Sequence, residues 1–580
     1  MKPKNLTLRI YLVAAVMLAS GISGCKKILE EHPRSQITPQ FFSTSGGILG
    51  GIAGVYSDMR NLWGTEGFTN MCVGGVDEDL VGGSGNPNFF TYKIVNGDIQ
   101  PLWNIAYQDI NTLNGVLEFG EKADIDDATK TQYLAQAKFL RAFYYFYLVQ
   151  TYGDVPLHLD FITTASTADS RQPIKDVYAQ IIKDLTEASA DLPAKPAAPF
   201  LGKAATQPVA FYLLAKAYLT RGWSSAAESD DFKTAYTIAS QIIQDKDNYG
   251  LGLWPDFASV NIKANDYGQE TLFVIDHSSD TKYGEYTTGQ FAAGPKENKT
   301  NFFFRPNYPT MNGNYPATGG GSIMTRDINN GRPFIRVRPN GPYLLHQAFA
   351  DRVNDSRYDN TFQTIWIANT PGASTPRGSL SVGVDTAIWM PDSATAAQAA
   401  LRVPAFKGAI VPPGPTGSWT PAFYPSLKKY DDSTRASLND ASTRPFVMFR
   451  FSDVYLLAAE AYFKAGDNGN AAAMLNVLRQ RAAYKATNTP QENADAVIAQ
   501  TILPSDVTLD FILDEYTREN YGNCQRWWDL VRTQSLIRRV QMYNPEAAAN
   551  IQPFHVLRPI PQTQIDLVTS GPAFPQNPGY

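Results

Sequence analysis

The chain has 580 residues, 43 % hydrophobic and 18 % charged, which is ordinary for a globular protein and enough to bury a large core. A net charge of −5 supplies no basic surface, which argues against nucleic acid as a partner. Three cysteines, Cys25, Cys72 and Cys524, exclude a disulfide scaffold.

The N-terminus carries Lys2, Lys4 and Arg9, an apolar run over 10–18 and then Ile22-Ser23-Gly24-Cys25. A basic start, a short apolar core and small residues before a cysteine read as a secretory leader over 1–24 with a lipobox. Cys25 would then be acylated and become the new N-terminus, holding the body to a membrane by lipid alone. Residues 25–45, with Pro33 and Pro39, read as an extended tether. If Cys25 is acylated, Cys72 and Cys524 remain as either a disulfide or two buried thiols.

Residues 40–59 have helical spacing, and 62–97 read as loop, rich in Gly, Asn and aromatics. Apolar residues at i, i+3, i+4 and i+7 predict helices over 102–119, 127–151 (with Asp127 as a cap), 172–192, 207–222 (with Pro208 in its first turn) and 231–246. From about 250 to 445 the chain turns to Gly, Pro, Asn, Ser and Thr with short apolar runs such as 271–275 and 364–366, which predicts long loops, small helices and short strands. Helices return over 446–465, 468–483, 505–521 and 525–542, and the C-terminus is extended.

Tyr455, Ala458, Ala459 and Tyr462, followed by Ala471, Leu475 and Leu478, place small and aromatic residues as tetratricopeptide repeats do; Leu214, Ala215 and Tyr218 repeat the pattern. An alanine at a crossing point lets two helices approach closely, and the aromatic fills the space beside it. The fold class expected is mainly α: tetratricopeptide-like helical repeats forming a scaffold, with a loop-rich irregular part containing a few short strands.

Several stretches together are similar to the SusD/RagB family of surface nutrient-binding lipoproteins. They are Cys25-Lys26-Lys27 with Pro39-Gln40-Phe41-Phe42; Gln136-Ala137-Lys138-Phe139-Leu140-Arg141-Ala142-Phe143-Tyr144-Tyr145 with Tyr152-Gly153-Asp154-Val155-Pro156-Leu157; Phe449-Arg450-Phe451-Ser452-Asp453-Val454-Tyr455-Leu456-Leu457; Asn476-Val477-Leu478-Arg479-Gln480-Arg481-Ala482; Arg518-Glu519-Asn520-Tyr521-Gly522 with Arg526-Trp527-Trp528-Asp529-Leu530-Val531-Arg532; and Pro559-Ile560-Pro561 with the terminal Gln576-Asn577-Pro578-Gly579-Tyr580. The family usually has Glu-Arg-Arg-x-Glu where this chain has Glu515-Tyr516-Thr517-Arg518-Glu519, and Cys524 stands where charged or small residues are more usual.

The resemblance implies a body with an N-terminal helical-repeat half over 46–250, a loop-rich ligand-facing region over 251–445 and a C-terminal helical half with an extended tail over 446–580. It implies a lipid-anchored, surface-exposed outer-membrane protein that caps a SusC-like TonB-dependent transporter and hands it a glycan or, in some members, a peptide. Such proteins are usually not enzymes.

Among the motif residues, Arg141, Asp453 with Arg450, and Asp529 with Arg526 and Arg532 read as buried ion pairs, because a half-buried guanidinium needs partners. A pyranose needs a flat aromatic surface against its C–H face and side-chain amides or charges at its hydroxyls. Two stretches offer both, and they supply the candidate contacts: Trp63, Asp77, Asn88 and Phe89 in the first, and Tyr283, Tyr286, Arg305, Asn307, Tyr308 and Tyr315 in the second. Asp77-Glu78-Asp79 could hold Ca²⁺ or sugar hydroxyls, but the favoured reading is a solvated acidic turn. The five histidines are scattered, and the chain holds no His-Glu-x-x-His, Gly-x-Ser-x-Gly or phosphate-loop motif. No metal, cofactor or catalytic residue is therefore expected; a surface glycoside hydrolase is the competing class.

Overall fold

The computed structural model describes residues 39–197, 203–278, 280, 296–403, 405–414 and 417–580. The leader, Cys25, most of the tether, Tyr283 and Tyr286 lie outside the described residues.

Helix α1 (Ser45–Asp58) starts where the Thr44 hydroxyl accepts the Gly47 N–H at 3.0 Å, and it buries Ile48, Ile52 and Val55. Helix α2 (Glu66–Val73) stands inside the stretch that reads as loop. Its glycine- and asparagine-rich flanks hide it: it is short, and it is held by packing rather than by propensity. Helices α3 (Asn96–Gly120), α4 (Asp127–Tyr152), α5 (Ile174–Asp191), α6 (Gln207–Trp223) and α7 (Asp231–Gln244) follow. Pro208 sits in the first turn of α6 as expected. Asp126, not Asp127, caps α4, accepting the Thr129 N–H at 2.9 Å. From Tyr133 onward α4 is buried on every face except at Lys138, so it is a central helix rather than an amphipathic one. The Arg141 guanidinium inside it pairs with Asp184 of α5 at 2.9 Å and donates to Asn114 of α3, as the need for partners predicts.

Beyond the loop-rich region come α8 (Phe451–Lys464), α9 (Asn468–Ala482), α10 (Pro490–Gln500), α11 (Leu509–Asn520), α12 (Arg526–Arg532) and α13 (Leu536–Tyr543). Helix α10, which the periodicity does not announce, is marked by a capping box between Thr489 and Glu492. The single helix expected over 525–542 is broken where Gln534 adopts φ 55. Residues 446–450 are strand, not the first turn of a helix.

The strands are short: β1 (Asp79–Val81), β2 (Thr271–Ile275), β3 (Val337–Pro339), β4 (Ile365–Ile367), β5 (Thr386–Trp389), β6 (Ala409–Ile410) and β7 (Phe446–Arg450). β1 pairs antiparallel with β3, and β4, β5 and β6 share a sheet. β2 pairs antiparallel with β7, Phe446 opposite Ile275.

Packing explains the order. Each of α3 to α7 packs on the next, α7 packs on α8, and α8 on α9. The helical repeat therefore runs unbroken in space from α7 to α8 although the loop-rich region separates them in sequence. That region is an insertion whose entry and exit are fastened by the β2–β7 ladder. At the α7–α8 contact Ala458 and Ala459 have no exposed surface, the Tyr236 and Tyr462 rings stack at 4.3 Å, and the Ser240 and Tyr462 hydroxyls bond at 2.9 Å. Small residues admit the neighbouring helix and an aromatic pair fills the remaining space. The fold is mainly α with a tetratricopeptide-like helical scaffold.

Candidate functional site

Five of the expected contact residues are enclosed by the protein and present no face to a ligand. Trp63 packs on Phe68, Phe143 and Tyr147, with ring centroids 4.7, 5.5 and 5.6 Å away. The Phe89 ring lies under the Arg558 guanidinium at 4.9 Å. Tyr308 is buried; its hydroxyl donates to the Gly331 carbonyl at 2.7 Å and its ring stacks on Trp366. Arg305 is buried as well, pairing with Asp431 and donating to Gln363 and Ser426, both at 3.2 Å. Each is an apolar ring or a long cation beneath a loop, where burial gains more than exposure.

Asp77 is the fifth, and with it the acidic turn is corrected. Asp77, Glu78 and Asp79 are all buried. Asp77 lies 2.7 Å from Arg526 of α12 and 2.6 Å from Arg539 of α13. Burial alone would raise its carboxyl, but the two guanidiniums outweigh it and hold it at about 2. Glu78, buried with a weaker pull from Arg526, is pushed up to about 7. Asp79 is pushed well above the carboxylate range by burial, with Glu78 beside it, and accepts the Tyr521 hydroxyl at 2.6 Å. Asp77 and Glu78 form a seam that ties the N-terminal turn to α12 and, through Asp77, to α13. Among the described residues no group of three or more His, Cys, Asp or Glu could hold a metal ion.

The seam also reassigns the other motif charges. Arg526 goes to Asp77, while Asp529 pairs with Arg532 at 2.7 Å and Arg532 with Glu460 at 3.0 Å. Asp453 accepts the Arg450 backbone N–H and the Asn520 amide, not the Arg450 guanidinium, which donates to Asn261. Cys72 and Cys524 are buried free thiols.

Asn88, Asn307 and Tyr315 remain at the surface, each partly exposed. The Asn88 amide is engaged, donating to Asp98 at the start of α3 at 3.0 Å. Asn307 and Tyr315 come together with residues from a second loop. The Asn307 N–H donates to the Ala422 carbonyl at 2.8 Å, which sets the 307–315 loop against 420–424. The Tyr315 and Phe423 rings meet edge to face at 5.6 Å, and the Phe423 N–H donates to the Thr420 hydroxyl at 3.0 Å. Asn314 is exposed, its backbone N–H held by the Asn312 side chain at 2.9 Å. Among the described residues nothing engages the Tyr315 hydroxyl or the side-chain amides of Asn307 and Asn314. Tyr315 and Phe423 are packed against the core on one side and partly exposed, and the free amides and hydroxyl belong to the same pair of loops. This arrangement can stack a flat apolar face and bond several hydroxyls at once. Phe423 escapes the sequence reading although Phe423-Tyr424, in a Pro- and Thr-bearing stretch, carries the same loop-aromatic signal as Tyr308 and Tyr315.

A cavity of about 170 Å³ lies apart from this face, lined by Trp103, Tyr107, Asn111, His158 and Asp169 among others. Its amide and its imidazole are already engaged: Asn111 bonds the Ile162 backbone in both directions, and His158 Nε2 is 3.4 Å from Asp169. Among the described residues no helix is long and apolar enough to cross a membrane.

With this geometry in place, the likeness to known proteins is informative. The SusD family model matches residues 269–580, more than half of the chain, and a second model, described as starch-binding associating with outer membrane, matches 82–219. The chain belongs to the SusD family. SusD-like protein P2 of Formosa agariphila is 32 % identical over 290 residues, 47 % of this chain and 55 % of that protein, so the match spans about half of that relative. SusD-like protein P25 of the same organism is 23 % identical over 98 % of this chain and 97 % of its own length. A SusD homolog from Bacteroides thetaiotaomicron has the same fold, with TM-score 0.68 and 21 % identity over 94 % of this chain and 99 % of that one. So does surface glycan-binding protein A of that organism, solved with laminarihexaose, with TM-score 0.61 and 19 % identity over 92 % and 99 %.

Proposed function

We propose that this protein is a surface-exposed lipoprotein of the outer membrane that binds an oligo- or polysaccharide and delivers it to a SusC-like TonB-dependent transporter, without cleaving it. Membership of the SusD family, a family model described as starch-binding and a relative solved with laminarihexaose support a glycan as the ligand. The observation that carries the reading is the Tyr315–Phe423 pair flanked by the unengaged amides of Asn307 and Asn314. In this reading a sugar ring stacks on the partly exposed aromatic pair while the amides and the Tyr315 hydroxyl bond its edge. The basic, apolar and small-residue order ending in Cys25 supports a lipid anchor.

The test is affinity electrophoresis or calorimetry against a polysaccharide panel that includes laminarin and starch. Tyr315→Ala and Phe423→Ala are each expected to weaken binding of the glycan by about tenfold, a loss of about 1.4 kcal/mol. Unchanged affinity in both variants removes the site, and sustained release of new reducing ends makes the protein a hydrolase. Binding of peptides with no glycan retained would place it with the peptide-binding members. Cys25→Ser is expected to leave the membrane fraction, and the transporter is expected to co-purify with the anchored chain.

A further inference from the structure

We propose that the cavity lined by Trp103 and Tyr107 is a second ligand site, one that takes a single amino-sugar ring with a free ammonium group. Its walls come from α3, from residues 156–169 and from the short helix Gln562–Leu567. Its volume of about 170 Å³ suits one six-membered ring, since a cavity of about 150 Å³ holds a benzene. Much of the wall is aromatic. Trp103 and Tyr107 lie 4.9 Å apart, the His158 ring stands 5.8 Å from Tyr107, and Ile110 and Ile162 add apolar surface. Such a wall holds the C–H face of a sugar. Trp103 is 3 % exposed, and among the described residues nothing accepts from its indole N–H. The unpartnered indole N–H groups of Trp63, Trp366, Trp419 and Trp527 are sealed inside the protein. That of Trp103 is not sealed, and the open space that Trp103 meets is this cavity. A ligand hydroxyl is the acceptor it lacks.

The charge around the cavity selects an amine. Asp169 lines it, and one carboxylate oxygen accepts the Ser170 N–H at 2.8 Å. The other oxygen accepts the Gln564 amide at 3.2 Å and lies 3.4 Å from His158 Nε2. A carboxylate has about four acceptor positions, so room for a further donor remains. Over α3, residues 153–172 and residues 559–580 the chain carries seven carboxylates and one strong base, Arg171. Arg171 does not neutralise Asp169. It donates to the Asn577 side chain at 2.6 Å and to the carbonyls of Asp154, Pro575 and Tyr152. A carboxylate without a lysine or arginine partner, beside aromatic rings in an acidic surround, is the pairing that recognises an organic cation. A pyranose bearing an ammonium meets each demand at once: its ring fills the aromatic wall, its cation goes to Asp169, and a hydroxyl accepts from Trp103. The site lies apart from the Tyr315–Phe423 face and does not rest on the reading proposed for it.

The test is a ligand-observed NMR titration of the full chain at neutral pH with glucosamine, set beside glucose, N-acetylglucosamine and n-butylamine. Glucosamine differs from glucose in one group, an ammonium in place of a hydroxyl. It is expected to bind at least about tenfold more tightly than the two neutral sugars and than n-butylamine. Asp169→Asn, at a partly exposed side chain, is expected to abolish the preference for the amine. Trp103→Phe keeps an aromatic ring, loses the N–H and is expected to weaken glucosamine several-fold. The comparison of ligands on the unaltered chain decides the matter even where a variant folds poorly. Equal binding of the neutral sugars overturns the role of the ammonium, and equal binding of n-butylamine overturns the sugar. No saturable binding of glucosamine overturns the site, and binding that Asp169→Asn leaves unchanged overturns its placement in this cavity. Asp169→Asn is expected to retain the polysaccharide affinity of the Tyr315–Phe423 face, so the two sites fail on different measurements.

Discussion

The seam at residues 77–79 and the face at Asn307–Phe423 draw on the same kinds of segment and have opposite fates. Both lie in loops rich in small and polar residues, and both looked from the sequence like places where a ligand could sit. In the seam, guanidiniums from α12 and α13 close over Asp77, and its charge is satisfied by the chain itself. On the Asn307–Phe423 face the backbone is pinned, but the side-chain amides are left over and the aromatic pair is partly exposed. A residue's capacity to bind something else is what remains after the fold has used it. The contrast predicts that perturbing the seam damages stability, whereas perturbing the face damages only recognition.

The largest expected effect is at the seam. Arg526→Ala leaves Asp77 with one guanidinium fewer in a buried site and is expected to cost about 3–5 kcal/mol in chemical denaturation. Asp77→Asn on that background should recover part of the loss, because it removes a buried carboxylate left with Arg539 as its remaining guanidinium. A cost below about 1 kcal/mol would erase the contrast between the two regions.

Next is a dependence on pH. Glu78 is raised to about 7 in the folded chain by burial, from 4.5 when free, so the folded state holds a proton that the unfolded state has released between those values. Its contribution is greatest at and below pH 4.5 and falls as pH rises toward 7, by up to about 3 kcal/mol. Glu78→Gln is expected to remove that decline, read as the difference between variant and wild-type denaturation at pH 5 and pH 8. Asp77 runs the other way: its folded value of about 2 is below the free 3.8, so its contribution is present above pH 3.8 and lost as pH falls toward 2.

Ala459→Leu puts three extra carbons into a helix crossing with no free surface and is expected to cost about 1–3 kcal/mol by overpacking. The smallest effect on stability belongs to the face. Tyr315→Ala is expected to change unfolding free energy by under about 1 kcal/mol while lowering glycan affinity tenfold. Equal losses of stability from Tyr315→Ala and Arg526→Ala would show that the face is another structural joint.

Much of the scaffold was legible because helical periodicity is local. The helices around Arg141, Tyr218 and Tyr462 could be placed from spacing alone, and the alanines at 458 and 459 pointed to close crossings. Helix α2 was hidden because its stability comes from what packs on it, and the strand at Phe446–Arg450 because a buried apolar run of five has no period that separates strand from helix. Of the site, Asn307 and Tyr315 stand at the surface, whereas Trp63, Phe89 and Tyr308 were taken up by the core. An aromatic in a loop reads the same whether it lies above or beneath its neighbours.

The order of residues by itself determined the composition of a large mainly helical body, the leader-like start ending at Cys25 and the motif series shared with the SusD family. Only the tertiary structure decided that α7 rests on α8 across a long insertion, that Asp77 belongs to Arg526 and Arg539, and that Tyr315 faces Phe423. Periodicity and motifs are properties of neighbours along the chain. Partners hundreds of residues apart are chosen by which buried charge or ring each surface leaves to be satisfied.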